Sequence, residues 1–233
     1  ATCGEVFIRN ARVEDMVSFL GAYRLLGGSF TAGADGIHFC REAESLHAVD
    51  LLETAVHPGF MTDWQAPLGV TLTQAVGESV LHETVYENRF GYTRALVDMG
   101  ADIRVSRGCP KGRACRFGGL GHEHTAIFRG VSPLHGADVV VPDLRAGFSH
   151  FIAALVADGR TTIRNVRLIQ RGYEDFLGKL DNPLGNAIDA LVVLTGLKGA
   201  KELDEKDPHY AKLIASEKKR AGVSWKGADL GSM

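Results

Sequence analysis

The sequence predicts a mixed fold of helices and strands in the α+β class, built from repeated units. Residues 13–30 align without a gap on residues 86–103, a shift of 73 positions. A further shift of 82 positions places Gly77 on Gly159. Each copy joins a short run of β-branched residues to a run with apolar residues at three- and four-residue spacing. These two patterns are typical of strands and of amphipathic helices.

Strands are predicted at three short runs rich in β-branched residues, at positions 6–8, 80–85 and 162–166. Gly27 and Gly100 stand where a repeated helix should end. That position favours glycine because the chain there often takes a left-handed conformation. Each unit is therefore expected to run helix, strand, helix and strand pair.

The predicted helices are identified by their first residues and their apolar faces. Thr62 and Gln65 have the spacing of a capping box and predict a helix start in the second unit. Asp143 is the expected N-cap in the third unit, because its carboxylate can accept bonds from free backbone N–H groups. The expected apolar faces are Met16, Leu20, Tyr23 and Leu26, then Leu68, Leu72 and Ala75, then Leu144, Phe148, Ile152 and Leu155.

The repeat does not continue through the last part of the chain. From residue 181 onward the sequence no longer matches the repeated units. Two helices are expected there, over residues 184–200 and 208–221. We therefore predict a repeated domain over residues 1–188 and a helical tail over residues 189–233.

The composition is that of an ordinary globular protein. The chain has 233 residues, 45% apolar and 23% charged, with a formal net charge of -2. This balance gives no support for a nucleic-acid or anionic-membrane partner. The apolar stretches are too short to span a bilayer, and no charged-then-apolar leader opens the sequence. We therefore expect a cytoplasmic protein, whose four cysteines are reduced thiols.

Three arginines are predicted at helix N-termini, where the helix dipole disfavours positive charge. Arg145 lies two residues after Asp143, and Arg89 and Arg171 are expected in the first turns of the second and third repeat helices. A ligand carrying carboxylate or phosphate would make such positions favourable, because guanidinium groups and free N–H groups both bind anions. The alternative is that the arginines are solvated and paired with carboxylates such as Glu87.

Asp63 is the acidic counterpart of these arginines. As an N-cap it would need no further role. Beside a group of arginines, however, its carboxylate would remain ionised and could accept a proton from a substrate hydroxyl. Glu87 and Asn88 are ambiguous on the same grounds, and helix-start packing is the expected role of Asn88.

Four ordered motifs resemble the enolpyruvyl transferases: HPGFMTDWQAP (57–67), HETVYENRF (82–90), VPDLRAG (141–147) and QRGYED (170–175). The resemblance extends over residues 1–180. It implies inside-out barrel domains of three βαβαββ units, with an active site in the cleft between two such domains. It also implies transfer of the enolpyruvyl group of phosphoenolpyruvate to the 3-hydroxyl of UDP-N-acetylglucosamine. That reaction releases phosphate and belongs to peptidoglycan precursor synthesis.

The resemblance assigns roles to residues on the side of the acceptor sugar. Asp63 matches the carboxylate that holds and deprotonates the sugar hydroxyl. Val85 matches a position whose backbone contacts the UDP-sugar. Glu87 lies beside this set.

The resemblance also assigns roles to the three arginines. Arg89 and Arg145 match residues that face the carboxylate of phosphoenolpyruvate, and Arg171 matches a residue that holds its phosphate. Fixed positive charge at these groups is what the addition step requires.

The departures from the family pattern limit what this chain is expected to do alone. The mobile loop that carries a cysteine or aspartate proton donor, and a lysine near the chain start, have no match here. We therefore expect most of one half of such an enzyme, inactive alone, with a separate N-terminal half as a possible partner and no cofactor. The alternatives are a non-catalytic UDP-sugar-binding or interaction domain of the same fold, and a transferase for another acceptor.

Residues 106–128 are predicted to form a glycine-rich, basic insertion in the strand pair of the second unit. The insertion contains Cys109, Cys115, His122 and His124. These are ligands that zinc accepts, but their spacing departs from that of the usual zinc knuckle. The favoured interpretation is a solvated loop with no metal. The resemblance places the family's catalytic loop in the other domain, whereas these cysteines lie in an insertion of this domain. Neither cysteine is therefore assigned a catalytic role.

Overall fold

The computed structural model describes residues 1, 5–41, 45–110, 113–173 and 190–194, with only the backbone of Gln170 and of residues 190–194. The chain divides into two compact units. Among the described residues, the first unit consists of residues 1, 5–41, 45–97, 101–110 and 113–132, and the second of residues 98–100, 133–173 and 190–194.

The first unit opens with a three-stranded antiparallel sheet and one helix. Helix α1 packs Leu20 against Ile37 and Phe39 of the sheet, with the partly buried Met16 and Tyr23 beside them. This contact confirms the apolar face predicted for that helix. The elements are β1 (Glu5–Arg9), a 3-10 turn (Val13–Asp15), α1 (Val17–Leu25), β2 (Ser29–Gly33) and β3 (Gly36–Cys40), with sheet order β1-β3-β2.

A second sheet of the first unit carries the predicted insertion. Its longest strand, β6, pairs in parallel with two short strands and antiparallel with β8, which pairs antiparallel with β7. The strands are β4 (Leu46–His47), β5 (Leu52–Glu53), β6 (Ala75–His82), β7 (Asp102–Ser106) and β8 (Thr125–Gly130). The helices are α2 (Gln65–Thr73), after a 3-10 turn (Thr62–Trp64), and α3 (Thr93–Asp98), after a 3-10 turn (Arg89–Tyr92).

The first two copies of the predicted repeat are confirmed by the sheet order. Strands β6, β8 and β7 repeat the arrangement of β1, β3 and β2, with a helix in the same place of each unit. The insertion joins β7 to β8 over residues 107–124, so residues 125–128 of the predicted insertion belong to the strand. Gly27 and Gly100 have φ values of 90° and 103°, as expected of glycines that follow a helix.

The second unit is a parallel sheet covered by helices. Its core packs Val141, Phe151, Ile163 and Ile169 together. Asp143 caps the long helix as predicted, and its side chain accepts bonds from the backbone N–H groups of Arg145 and Ala146. The elements are β9 (Asp138–Val140), α4 (Leu144–Val156), β10 (Gly159–Arg164), α5 (Arg167–Gln170) and β11 (Ala190–Leu194), with sheet order β11-β10-β9.

The helix predicted over residues 184–200 is wrong at residues 190–194, which form β11 and pair in parallel with β10. A five-residue apolar run with two valines suits a buried parallel strand as well as a helix, and the neighbouring strand decides between them. The rest of that helix, and the helix predicted over residues 208–221, lie outside the described residues. Within the described ranges, no helix combines the length and apolar character needed to cross a membrane.

Candidate active site

Asp63 and Arg89 meet in the first unit. Asp63 lies in the 3-10 turn before α2, and Arg89 opens the 3-10 turn before α3. The Arg89 Nη2 atom is 3.4 Å from Asp63 Oδ1, and the guanidinium lies over the Tyr86 ring, 5.2 Å from its centre. The Arg89 side chain is 20% exposed and that of Asp63 is 57% exposed. A partly covered cation therefore stands beside a carboxylate that solvent can reach.

Glu83, fully buried, organises this part of the chain. One carboxylate oxygen accepts bonds from the backbone N–H groups of Val85 and Tyr86, at 2.8 and 3.0 Å. The other accepts bonds from Thr62 Oγ1 and Gln65 Nε2, at 2.8 and 3.1 Å. All four partners are donors, which suits an ionised carboxylate that can only accept. Glu83 thus joins the turn before α2 to the loop that follows β6.

The capping box predicted at Thr62 and Gln65 is wrong, because both side chains donate to Glu83 instead. Neither the 3-10 turn nor α2 has a side-chain capping bond, so the predicted capping role of Asp63 is also wrong. A buried carboxylate without donors would be costly, and satisfying it outweighs a cap that solvent can replace. The two capping candidates therefore support the carboxylate that positions the segments carrying Asp63 and Arg89.

Residues 83–85 were predicted as the end of a strand, but β6 ends at His82. Glu83 binds the N–H groups of Val85 and Tyr86, so these groups do not pair in a sheet. The sequence motifs did not identify Glu83 as a site residue. One signal was present, because the repeat shifts place Glu83 on Asn10 (10 + 73) and Asn165 (83 + 82). Both asparagines have left-handed φ values, of 58° and 63°, and Glu83 breaks that pattern.

Glu87 and Asn88 connect the site loop to the insertion. Glu87 Oε1 is 3.1 Å from Arg116 Nη2, and both side chains are exposed. Asn88 has a φ of 52° at the start of the 3-10 turn, and its side-chain oxygen accepts a bond from the Glu123 N–H at 3.2 Å. The expected helix-start role of Asn88 is confirmed by its position, although its side chain binds the insertion instead of capping the turn.

Arg145 and Arg171 both belong to the second unit. Arg145 lies in the first turn of α4, as predicted. Arg171 follows α5 and does not lie in its first turn, so that prediction is wrong. The helical turn starts six residues after Glu83 (89 − 83) but two residues after Asn165 (167 − 165). The loop bound by Glu83 accounts for this difference, and Arg171 therefore ends a helix, where positive charge is favourable.

Packing within the second unit relates these two arginines. Gly172 lies so close to Leu144 that a Cβ added to the glycine would be 2.7 Å from Leu144 Cδ1. The adjacent Tyr173 stacks on Phe148, with ring centres 4.3 Å apart. The residue after Arg171 thus contacts the residue before Arg145, which places both arginines at the N-terminal end of α4.

A second cluster lies beside Glu83 in the first unit. The metal-binding atoms of His82, Cys109, Cys115 and His124 all lie within 4.8 Å of one another, the one such cluster found among the described residues. The sequence predicted three of these candidates but named His122 in place of His82. The His122 ring packs against Phe117 instead, with ring centres 5.8 Å apart. Burial lowers the pKa of His82, which favours the neutral imidazole that metals bind.

Comparison with known proteins decides the family. Residues 1–180 match the family described as EPSP synthase (3-phosphoshikimate 1-carboxyvinyltransferase). The chain belongs to this family. The resemblance to enolpyruvyl transferases is thereby confirmed, over the residues expected from the motifs.

Two relatives narrow the comparison to one branch of the EPSP synthase family. UDP-N-acetylglucosamine 1-carboxyvinyltransferase of Protochlamydia amoebophila is 46% identical over 213 residues, which is 90% of this chain and 45% of that protein. The enzyme of the same name from Chlamydia abortus is 47% identical over 191 residues, 82% of this chain and 43% of that one. This family member therefore spans less than half the length of the relatives it matches.

Among solved structures, the enolpyruvyl transferase NikO from Streptomyces tendae is similar in fold. The TM-score is 0.60 at 27% sequence identity, over 71% of this chain and 34% of that protein. The described helices and strands agree with the mixed α+β fold of this family.

Proposed function

We propose that this chain provides part of the active site of an enolpyruvyl transferase in peptidoglycan precursor synthesis. The enzyme moves the enolpyruvyl group of phosphoenolpyruvate onto the 3-hydroxyl of UDP-N-acetylglucosamine. The observation that carries the proposal is the Asp63–Arg89 pair positioned by Glu83, in a chain 46% identical to enzymes named for this reaction. The substrates are small charged metabolites, so the proposed location is the cytoplasm.

The proposed architecture follows the family resemblance. The repeated domain proposed over residues 1–188 forms one inside-out barrel of βαβαββ units, interrupted by the insertion, and residues 190–194 of the proposed tail add a strand to its sheet. The matched relatives are more than twice as long as the matched part of this chain, which supports a second half as partner. That half supplies the groups that have no match in this sequence.

Asp63 is proposed as the base. Its carboxylate is reachable by solvent and lies beside the Arg89 guanidinium, where it can accept the proton of the sugar hydroxyl. As that proton leaves, the sugar oxygen bonds to C2 of phosphoenolpyruvate and the methylene carbon takes a proton from the second half. The bond between C2 and the phosphate oxygen then breaks as phosphate leaves, and the methyl group returns a proton to the second half, which restores the double bond.

The proposed contacts of the other site residues follow the family resemblance. For Val85 and Glu87, their hydrogen-bond and ion-pair partners support the proposed roles. The N–H group of Val85 is bound by Glu83, so its carbonyl oxygen is the backbone atom proposed to bind the UDP-sugar. Arg89 and Arg145 are proposed to bind the carboxylate of phosphoenolpyruvate, and Arg171 its phosphate. Glu87 is bound by Arg116, which supports a role in positioning the loop beside the sugar.

The test is a phosphate-release assay with phosphoenolpyruvate and UDP-N-acetylglucosamine. The full chain is mixed with the separately produced region of the Protochlamydia amoebophila enzyme that it does not match. We expect release that requires both substrates. Asp63→Asn should lower the rate by about 10²-fold or more, because a general base typically accelerates its step by at least that factor. Arg89→Lys should also lower it, because lysine lacks the bidentate fork.

The matched control is Asp50→Asn, which removes another exposed aspartate of the first unit and should leave the rate unchanged. Full activity in Asp63→Asn would refute the assigned base. Phosphate release with shikimate 3-phosphate instead of the UDP-sugar would identify another acceptor. Binding of UDP-N-acetylglucosamine by calorimetry without turnover in the mixed protein would identify a binding domain.

A further inference from the structure

The cluster beside Glu83 has the dimensions of a four-ligand metal site. Cys109 Sγ is 3.3 Å from Cys115 Sγ and 3.4 Å from His124 Nε2. With His82 included, all four binding atoms lie within 4.8 Å of one another. A tetrahedral zinc ion with bonds of about 2.0 to 2.3 Å places its ligand atoms roughly 3.3 to 3.8 Å apart. Small side-chain rotations therefore suffice to close such a site.

The proton on the His124 ring is fixed by its neighbour. His124 Nδ1 is 2.7 Å from the backbone oxygen of His122, and a carbonyl oxygen can only accept. Nδ1 therefore carries the hydrogen, and the neutral ring has its lone pair on Nε2. That is the atom that faces Cys109. A backbone carbonyl that orients a histidine in this way is a common feature of metal sites.

The proton on the His82 ring is fixed by a longer relay. Thr125 Oγ1 donates its single hydrogen to the Gly108 carbonyl at 2.7 Å, so it must accept from His82 Nδ1 at 2.9 Å. The lone pair of His82 is then on Nε2. This atom is buried and has no hydrogen-bond partner in the described part of the chain. Glu53 Oε2 lies 3.9 Å away, so two electron-rich atoms face each other.

A buried lone pair without a donor is costly, and a carboxylate nearby increases the cost. A cation bound at Nε2 would remove both problems. Two thiolates would balance the charge of a divalent ion, and the combination of sulfur and imidazole ligands in a tetrahedron selects zinc over magnesium or calcium. Four protein ligands leave no open position, which is typical of a structural site.

We propose that His82, Cys109, Cys115 and His124 bind one Zn²⁺ ion that fastens the insertion to the end of β6. The buried Phe117 covers the site, with its ring centre 5.9 Å from that of His124. His82 directly precedes Glu83, so the ion stabilises the strand end from which the site loop begins. The proposal does not depend on the transferase function, and metal content is measured without an activity assay.

The first test is metal analysis of the full chain after reconstitution with zinc under reducing conditions and removal of unbound metal. We expect about one zinc per chain. Cobalt in place of zinc should give the visible and sulfur charge-transfer absorption of a tetrahedral thiolate site. Less than a tenth of an equivalent of either metal would overturn the proposal.

The second test uses variants with matched controls. Cys109→Ser and His82→Gln should each lower the bound zinc to a small fraction. Cys40→Ser removes another half-buried free thiol of the first unit, and His122→Gln removes the histidine that the structure leaves out of the cluster. Both controls should keep their zinc. Equal metal content in all four variants would contradict the proposed ligands.

A third measurement needs no variant and covers the case in which a substitution prevents folding. Alkylation followed by mass spectrometry should modify Cys40 while zinc protects Cys109 and Cys115. A chelator should then expose both of the protected thiols. A disulfide between Cys109 and Cys115 in the reconstituted protein, with no metal bound, would overturn the proposal.

Discussion

The ends of β6 and β10 occupy the same place in two copies of the repeat, yet they are built differently. After β10, Asn165 turns the chain with a φ of 63°, and its side chain donates a bond to the Val141 carbonyl and accepts one from Arg167 Nε, each at 3.2 Å. After β6, Glu83 accepts four bonds from two separate segments. The first side chain has two neutral-amide contacts, one of them exposed, whereas the second is a buried carboxylate that joins the segments carrying Asp63 and Arg89. The candidate site thus lies in the copy of the repeat where Glu83 takes the place of the asparagine found in the other two copies.

The energies of the two corners, meaning the turn at Glu83 after β6 and the turn at Asn165 after β10, should differ accordingly. A neutral hydrogen bond contributes about 1 kcal/mol net, and a bond to a charged group contributes about 1.5 to 3 kcal/mol. Asn165 has one neutral bond to Val141 and one exposed bond from the Arg167 guanidinium, while Glu83 has four bonds to a buried carboxylate. Removal of Glu83 would also leave several donors buried without an acceptor.

Glu83→Ala should have the largest effect, a loss of about 3 to 5 kcal/mol in the free energy of unfolding of the first unit. The loss arises because Val85, Tyr86, Thr62 and Gln65 lose their acceptor together. Urea unfolding of the full chain measures the stability. Hydrogen exchange at the amides of Val85 and Tyr86 locates the change.

Glu83→Gln is the conservative control. It keeps the shape but points an NH₂ group at donors, so it should also destabilise, by less than alanine does. Unchanged exchange at the two amides in both variants would show that Glu83 does not hold the loop, and the contrast between the corners would fail.

Asn165→Ala should have a smaller effect, of about 1 to 2 kcal/mol. It removes the bond to the Val141 carbonyl and the exposed bond from Arg167, and it places alanine at a left-handed φ, where a Cβ is unfavourable. Asn165→Gly is the matched control, because glycine tolerates that φ and so isolates the two lost bonds. Urea unfolding compares the three proteins, and neither variant should alter exchange at Val85 or Tyr86. A loss as large as that of Glu83→Ala would mean that the two corners carry equal weight.

Features decided within a few residues could be predicted from the sequence. The N-cap Asp143 and the helix-ending glycines Gly27 and Gly100 are confirmed because each depends on its own turn of the chain. The gap-free repeat predicted the order of helices and strand pairs, because equal units form equal sheets. Asp63 and Arg89 were each named as candidates on their residue types and the family resemblance, but their pairing was not predicted.

Features decided by distant contacts could not be predicted in this way. Thr62 and Gln65 have the spacing of a capping box, but a carboxylate 21 and 18 residues away takes their hydrogen bonds. His82 joins the cysteines only because β6 pairs with β8, which brings it beside Thr125. Arg171 was misplaced because the shorter corner at Asn165 starts its helix earlier than the corner at Glu83.

The smallest effect is expected from Asp138→Asn, beside the corner at Asn165. Asp138 forms a bidentate pair with Arg164, the residue before Asn165, and both side chains are about half exposed. Hydrogen bonds from Arg164 hold the pKa of Asp138 below its ordinary value. The pair therefore stabilises the fold above the unfolded pKa of about 3.9, and this contribution is lost as the pH falls through the lower folded pKa. Solvent screening keeps the contribution small.

Urea midpoints measure the effect of Asp138→Asn. At neutral pH the midpoints of wild type and variant should differ by less than for Asn165→Ala. The difference should vanish in acid, and it should shrink in 1 M salt, where the Debye length is about 3 Å. A difference that persists under both conditions would mean that Asp138 supports the corner at Asn165 by more than an exposed ion pair. The contrast with the corner at Glu83 would then be weaker.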